Sequence, residues 1–216
     1  MAKRKPRTPT PPGPVQAPKR RYEPSTRSRP NPRTLRLAGA LAAFALVAIV
    51  IAVVAAGGRH SADPSKDLLA AGCSFKTFPN QGQRHVTSLT ASVKYNSFPP
   101  TSGPHYVQPA PWNFYDGPLD SEVRVVHNLE HGGIVVQWGS KVPASMVEQL
   151  RGFWHGSPNG MLMAPLPKLG DRIALTAWTH LATCSGFNEG AFRAFRDAYR
   201  AKGPERFPLS ALQPGS

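Results

Sequence analysis

The first 36 residues are almost without acid: Glu23 is the single carboxylate among eleven Lys and Arg side chains, and ten of the chain's fourteen net positive charges sit there. They also have few apolar residues and carry nine prolines between Pro6 and Pro32, which excludes a packed core and predicts a disordered basic tail over residues 1–36. The basic pI is therefore a property of the tail and not of the rest of the chain. No aromatic interleaving or nucleic-acid motif accompanies these charges, so anionic lipid headgroups are the expected partner and nucleic acid is not. Neither of the two cysteines, Cys73 and Cys184, belongs to a CxxC pair, which argues against thiol exchange chemistry. A glycine-rich phosphate loop, a G-x-S-x-G context around Ser102 or Ser121, and an internal repeat are all absent.

What is present begins with a charge-free apolar run of 20 residues, from Leu37 to Ala56. At a rise of about 1.5 Å per residue such a run matches a hydrocarbon core of about 30 Å. It predicts a transmembrane helix over residues 37–57. The competing reading, a cleaved signal peptide, calls for a shorter charged region and an apolar stretch of about 7–15 residues. Basic residues crowd the N-terminal flank, so the N-terminus is expected in the cytoplasm and everything after the run outside it, at the cell membrane. Residues 58–67, small and polar, read as a linker, and residues 68–216 as one extracytoplasmic domain. On that side Cys73 and Cys184 are expected to form a disulfide.

The expected fold class is α+β, a small sheet with two or three helices. PASMVEQLRGFW over residues 143–154 reads as a helix opened by Pro143. A second helix is predicted over residues 189–202, capped by Asn188, with Phe192, Phe195 and Tyr199 on one face and Gly203 ending it. Strands are predicted at residues 92–95, 133–138, 161–164 and 172–179. Residues 97–120 are too rich in proline and glycine for regular structure. The aromatics there, Tyr106, Trp112 and Tyr115, are expected to pin this loop to the body, with a ligand groove as the alternative.

Chemistry, if present, is expected between His85 and His131, where four of the seven histidines fall. His127 and His131 occupy VHNLEHGG. A helix capped by Asp120 or Ser121, with Gly132 just past its end, would place both on one face, four residues apart. The β-branched run in residues 123–126 would instead favour a strand, separating them by about 13 Å. The capping signals make the helix the expectation. HNLEH also fits the inverted zinc-protease signature H-x-x-E-H, but three fixed letters arise easily by chance and Gly132 and Gly133 would cut the helix at once. His105 or Glu189 would have to supply its third ligand. A smaller expectation is one Zn or Cu ion held by His105, His127 and His131, with His85 as a fourth ligand and Glu130 as ligand or base. The alternative is that these histidines are hydrogen-bonded structural groups. Met161 and Met163, alternating in GMLMAP, read as core filler before copper ligands.

The blocks HV, VKYNSFPPTSGPHY, PWNFYDGP, VHNLEHGGIVVQW, ALTAW and KGPE, in that order, resemble the bacterial family DUF3105, a domain of unknown function, across residues 85–205. The resemblance implies an N-terminal membrane anchor with an outward domain, and places His85, His105, His127, Glu130 and His131 in the family's motifs. It implies no activity. Thr179 and His180 after ALTAW depart from the pattern, so His180 is expected to be peculiar to this chain. Two functions follow: a ligand- or metal-binding module, or a metal-dependent hydrolase with Glu130 as general base.

Overall fold

The computed structural model describes residues 63–216. Its elements in chain order are α1 (Ser65–Ala70), β1 (Ser74–Thr77), β2 (His85–Val86), β3 (His105–Tyr106), α2 (Glu122–Glu130), β4 (Ile134–Trp138), α3 (Ala144–Gly156), β5 (Met161–Pro165), β6 (Ile173–Ala177), β7 (His180–Cys184) and α4 (Glu189–Tyr199). Five strands form a sheet in the order β1-β7-β6-β4-β5, and β2 pairs with β3 separately. Within the large sheet only β4 and β5 run parallel. A parallel pair needs a crossover, and α3 supplies it.

Every residue of β4 is buried, because both faces of the sheet are covered. Ile134, Val136 and Trp138 meet Phe153 and Trp154 of α3 and Phe192 and Phe195 of α4. Val135, on the opposite face, packs with Val125 and Leu129 of α2 and with Trp112. The side chain of Asn188 caps α4 by accepting the Ala191 N–H at 3.0 Å, and Phe192 and Phe195 are fully buried, each contributing about 1.5–3 kcal/mol. Cys73 and Cys184 form a disulfide that ties the segment before β1 to the end of β7, 111 residues apart.

The α+β class and the small sheet stand, but the helix count and the membrane-spanning helix need correction. The described residues contain four α-helices and not two or three. The additional one, α1, starts inside the segment read as linker, anchored by the fully buried Leu68. The expected transmembrane helix is withdrawn: no helix among the described residues is long and apolar enough to cross a membrane. The longest, α3, has 13 residues, about 20 Å. Residues 37–57, on which that expectation rested, lie outside the described residues, as do the tail over residues 1–36 and residues 58–62.

Smaller differences have local causes. Residues 92–95 form no strand, since Gln81 Nε2 donates to the Lys94 carbonyl (3.1 Å) and the Tyr95 hydroxyl donates to the Pro104 carbonyl (2.6 Å). Side chains take the place of a ladder. Pro143 is the N-cap of α3, just outside the helix. The last helix stops at Tyr199 because Arg200 turns to extended backbone (φ −65°, ψ 137°), where its guanidinium donates to Ser157 Oγ at 2.8 Å.

Candidate metal centre

Ser121 starts α2: its hydroxyl oxygen accepts the Val123 N–H at 3.2 Å while its O–H donates to the Leu89 carbonyl at 2.7 Å. Helix therefore wins over strand at residues 123–126, because Val123, Val125 and Val126 are buried against neighbours and packing outweighs a propensity deficit of a few tenths of a kcal/mol per residue. His127, Glu130 and His131 then share one helix face at i, i+3 and i+4. His85 and His105 come from the small parallel sheet, where they are direct register partners. The His105 N–H donates to the Arg84 carbonyl at 2.9 Å, and the loop before it is pinned by the fully buried Thr101 and Ser102.

These placements bring His85, His105, His127 and Glu130 together, with one donor atom from each within 4.8 Å of all the others. Glu130 Oε2 lies 2.9 Å from His105 Nε2, 3.6 Å from His85 Nε2 and 3.9 Å from His127 Nε2. Bonds of about 2.0–2.1 Å to a tetrahedral zinc would set neighbouring ligands about 3.3 Å apart, a spacing that the three contacts of Glu130 Oε2 bracket, with the one to His127 the widest at 3.9 Å. His131 sits beside this group rather than in it. His127, Glu130, His131 and Glu205 form an overlapping quartet by the same criterion, with His127 Nε2 3.0 Å from His131 Nε2 and His131 Nε2 3.1 Å from Glu205 Oε2.

Glu205 was missed in the sequence. It arrives because α2 ends in glycines: Gly132 takes φ +86°, a Cβ on it would meet Gly203 N at 2.7 Å, and a Cβ on Gly203 would collide with the Glu130 carbonyl. With neither side chain present, the Ala201 N–H donates to the Gly132 carbonyl (2.8 Å) and the Glu205 N–H to the Glu130 carbonyl (3.3 Å). The carboxylate is thereby laid against His131. Gly133 has a separate reason, for the indole of Trp112 occupies the space of its missing Cβ. The available signal was the KGPE block, which sets Gly203 two residues before Glu205.

Proton positions follow from the backbone. A carbonyl oxygen only accepts, so His105 Nδ1, 2.8 Å from the Gly103 carbonyl, and His127 Nδ1, 2.7 Å from the Tyr106 carbonyl, each carry the hydrogen. In the neutral rings both Nε2 lone pairs then point into the cluster. His105 Nε2 faces Glu130 Oε2 across 2.9 Å, a contact between two electron-rich atoms that attracts only with a proton or a cation between them. Burial, the largest cause in both cases, lowers the pKa of His127 and of His131, which favours the neutral imidazole that ligation requires.

Residues 85–209 match the family model described as "Protein of unknown function (DUF3105)". This chain belongs to the DUF3105 family. The match contains all six donors, from His85 to Glu205. No curated protein and no solved structure matches the chain.

Other candidates fall outside the DUF3105 cluster. Met161 and Met163 are fully buried in the apolar core shared with α3 and α4. Glu189 pairs with Arg193 on α4. His180 stacks on Tyr199, ring centroids 4.1 Å apart, and His155 lies beside Trp154. Trp112 is buried and pins the loop, whereas the Tyr115 hydroxyl donates to the Pro111 carbonyl at 2.7 Å.

Proposed function

We propose that this DUF3105 domain binds a divalent transition-metal ion, Zn(II) or Cu(II), through His85, His105, His127 and Glu130, and that it does so in an oxidising compartment outside the cytoplasm. The observation that carries the metal reading is the 2.9 Å approach of His105 Nε2 to Glu130 Oε2 while His105 Nδ1 is committed to a carbonyl. Three imidazoles and one carboxylate are donors of the hardness that Zn(II) and Cu(II) accept, and no thiolate or thioether is among them. The disulfide between Cys73 and Cys184 supports the compartment. The hydrolase reading is weaker, because Glu130 Oε2 lies within 3.9 Å of three imidazole nitrogens, which suits a ligand better than a free general base.

The test uses the full chain, stripped with a chelator, reloaded with Zn(II) or Cu(II) and dialysed before elemental analysis. At least one equivalent is expected to remain. His105→Ala is expected to lose it, and His85→Ala, whose side chain is 45% exposed, to weaken binding at least tenfold while the metal-free melting temperature stays put. Retention of less than a tenth of an equivalent of either metal by the wild-type chain would remove the proposal.

A further inference from the structure

Four imidazoles and two carboxylates exceed what one ion needs. The distances sort them into two groups of the same composition. His85, His105 and Glu130 are joined by contacts of 3.6 and 2.9 Å, and His127, His131 and Glu205 by contacts of 3.0 and 3.1 Å. The contact across the groups, from His127 Nε2 to Glu130 Oε2, is longer at 3.9 Å. Two imidazoles and a carboxylate form a complete protein ligand set for zinc with one position left open.

We infer that His127, His131 and Glu205 form a second divalent-cation position beside the first, bridged to it by the carboxylate of Glu130. The inference rests on the reading above and extends it from one ion to two. An imidazole nitrogen has one lone pair, so in the doubly loaded state His127 serves the outer ion, and His85, His105 and Glu130 hold the inner one. A carboxylate can offer an oxygen to each of two ions about 3.5–4 Å apart, and Glu130 and Glu205 together offset part of their repulsion. Both ends of the array reach solvent, at His85 (45% exposed) and Glu205 (38% exposed), so each ion has a route in and an open coordination position. Phe207 lies over the His131 ring, centroids 4.2 Å apart, and shields the outer position. The simpler account is that His131 and Glu205 are only an ion pair. That account leaves one N–H on His131 Nε2 to serve both Glu205 Oε2 at 3.1 Å and His127 Nε2 at 3.0 Å, whose own Nδ1 already donates to the Tyr106 carbonyl.

The experiment titrates the metal-free full chain with Co(II), following the visible and electron paramagnetic resonance spectra. The wild-type chain is expected to bind two equivalents, the second weakening the resonance of the first through coupling across the shared carboxylate. Glu205→Gln is expected to bind one equivalent, with affinity for the second reduced at least a hundredfold and the metal-free melting temperature unchanged. Saturation of the wild-type chain at one equivalent would overturn the inference and leave the single-ion reading standing. So would a second equivalent that persists in Glu205→Gln, or one that leaves the first ion's resonance untouched, as binding at His155 would. Binding of no Co(II), Zn(II) or Cu(II) at all would instead overturn the single-ion reading itself.

Discussion

On one side of the central sheet, Ile134, Val136 and Trp138 meet the aliphatic and aromatic side chains of α3 and α4. On the other, Val135 and Gln137 meet a helix that buries His127 and Glu130 and half-buries Glu122. The first face is satisfied by its own chain, since apolar surface asks only to leave water. The second keeps groups that want further partners: Glu122 Oε2 and Gln137 Oε1 are buried without a hydrogen-bond partner, and bare imidazole lone pairs point at Glu130. Such groups cost stability unless they are satisfied. Stability and chemistry are thus assigned to opposite faces of one sheet.

The largest expected effect breaks the apolar side alone. Replacing Cys73 and Cys184 together by Ser opens a loop of 111 residues and lowers stability by up to about 4.7 kcal/mol in the chain-entropy account. Thermal melts are expected to show that loss, while zinc affinity measured well below the melting point stays within twofold. A large drop in affinity would show that the two faces are not independent.

Next comes a titration on the polar side. Burial, partly opposed by the hydrogen bond from Gln137 and by the charge of Lys168, pushes the Glu122 carboxyl up to about 7. A folded pKa above the unfolded value means that this contribution is fully present below about pH 4.5 and is lost as pH rises towards 7. The span amounts to roughly 3 kcal/mol. Glu122→Gln is expected to flatten that part of the stability curve, read as the difference between wild-type and variant unfolding free energies from pH 4.5 to 7.5. No change in slope would mean that Glu122 stays ionised in the fold.

The smallest effect is the most discriminating. Asn188→Ala and Ser121→Ala each remove a helix cap, at about 1 kcal/mol apiece. Only the second is expected to weaken zinc binding, since α2 carries His127, Glu130 and His131 whereas α4 carries no donor of the cluster. Isothermal titration of both variants checks the difference.

What was legible in the sequence follows the same division. Strands β4, β5 and β6 announced themselves as short β-branched or apolar runs between glycines and prolines, and α3 and α4 as helical spacing of Leu150, Trp154, Phe192 and Phe195. The strands β1 and β7 did not, because Ser74–Thr77 and His180–Cys184 mix polar and apolar residues with little pattern and pair across 109 residues or so in the chain. A cluster of His105, His127 and His131, with His85 as a fourth ligand and Glu130 as ligand or base, could be proposed from the crowding of histidines in the sequence, although the division into two overlapping quartets could not. Their distances could not, since they depend on a parallel pairing of two residues with two. Glu205 was hidden for a different reason: the KGPE block marks its position but not its role, and its relevance comes from two glycines meeting at the end of another element.

That meeting also affects how the chain is fastened. The six donors come from four stretches around residues 85, 105, 127–131 and 205, and among the described residues 87–104 and 107–121 contain no helix or strand. A cation held among them acts as a removable cross-link on segments with few backbone pairings of their own. Cleavage by an added protease within residues 87–104 should therefore slow when the centre is loaded and quicken when a chelator empties it, making the integrity of this loop a readout of occupancy.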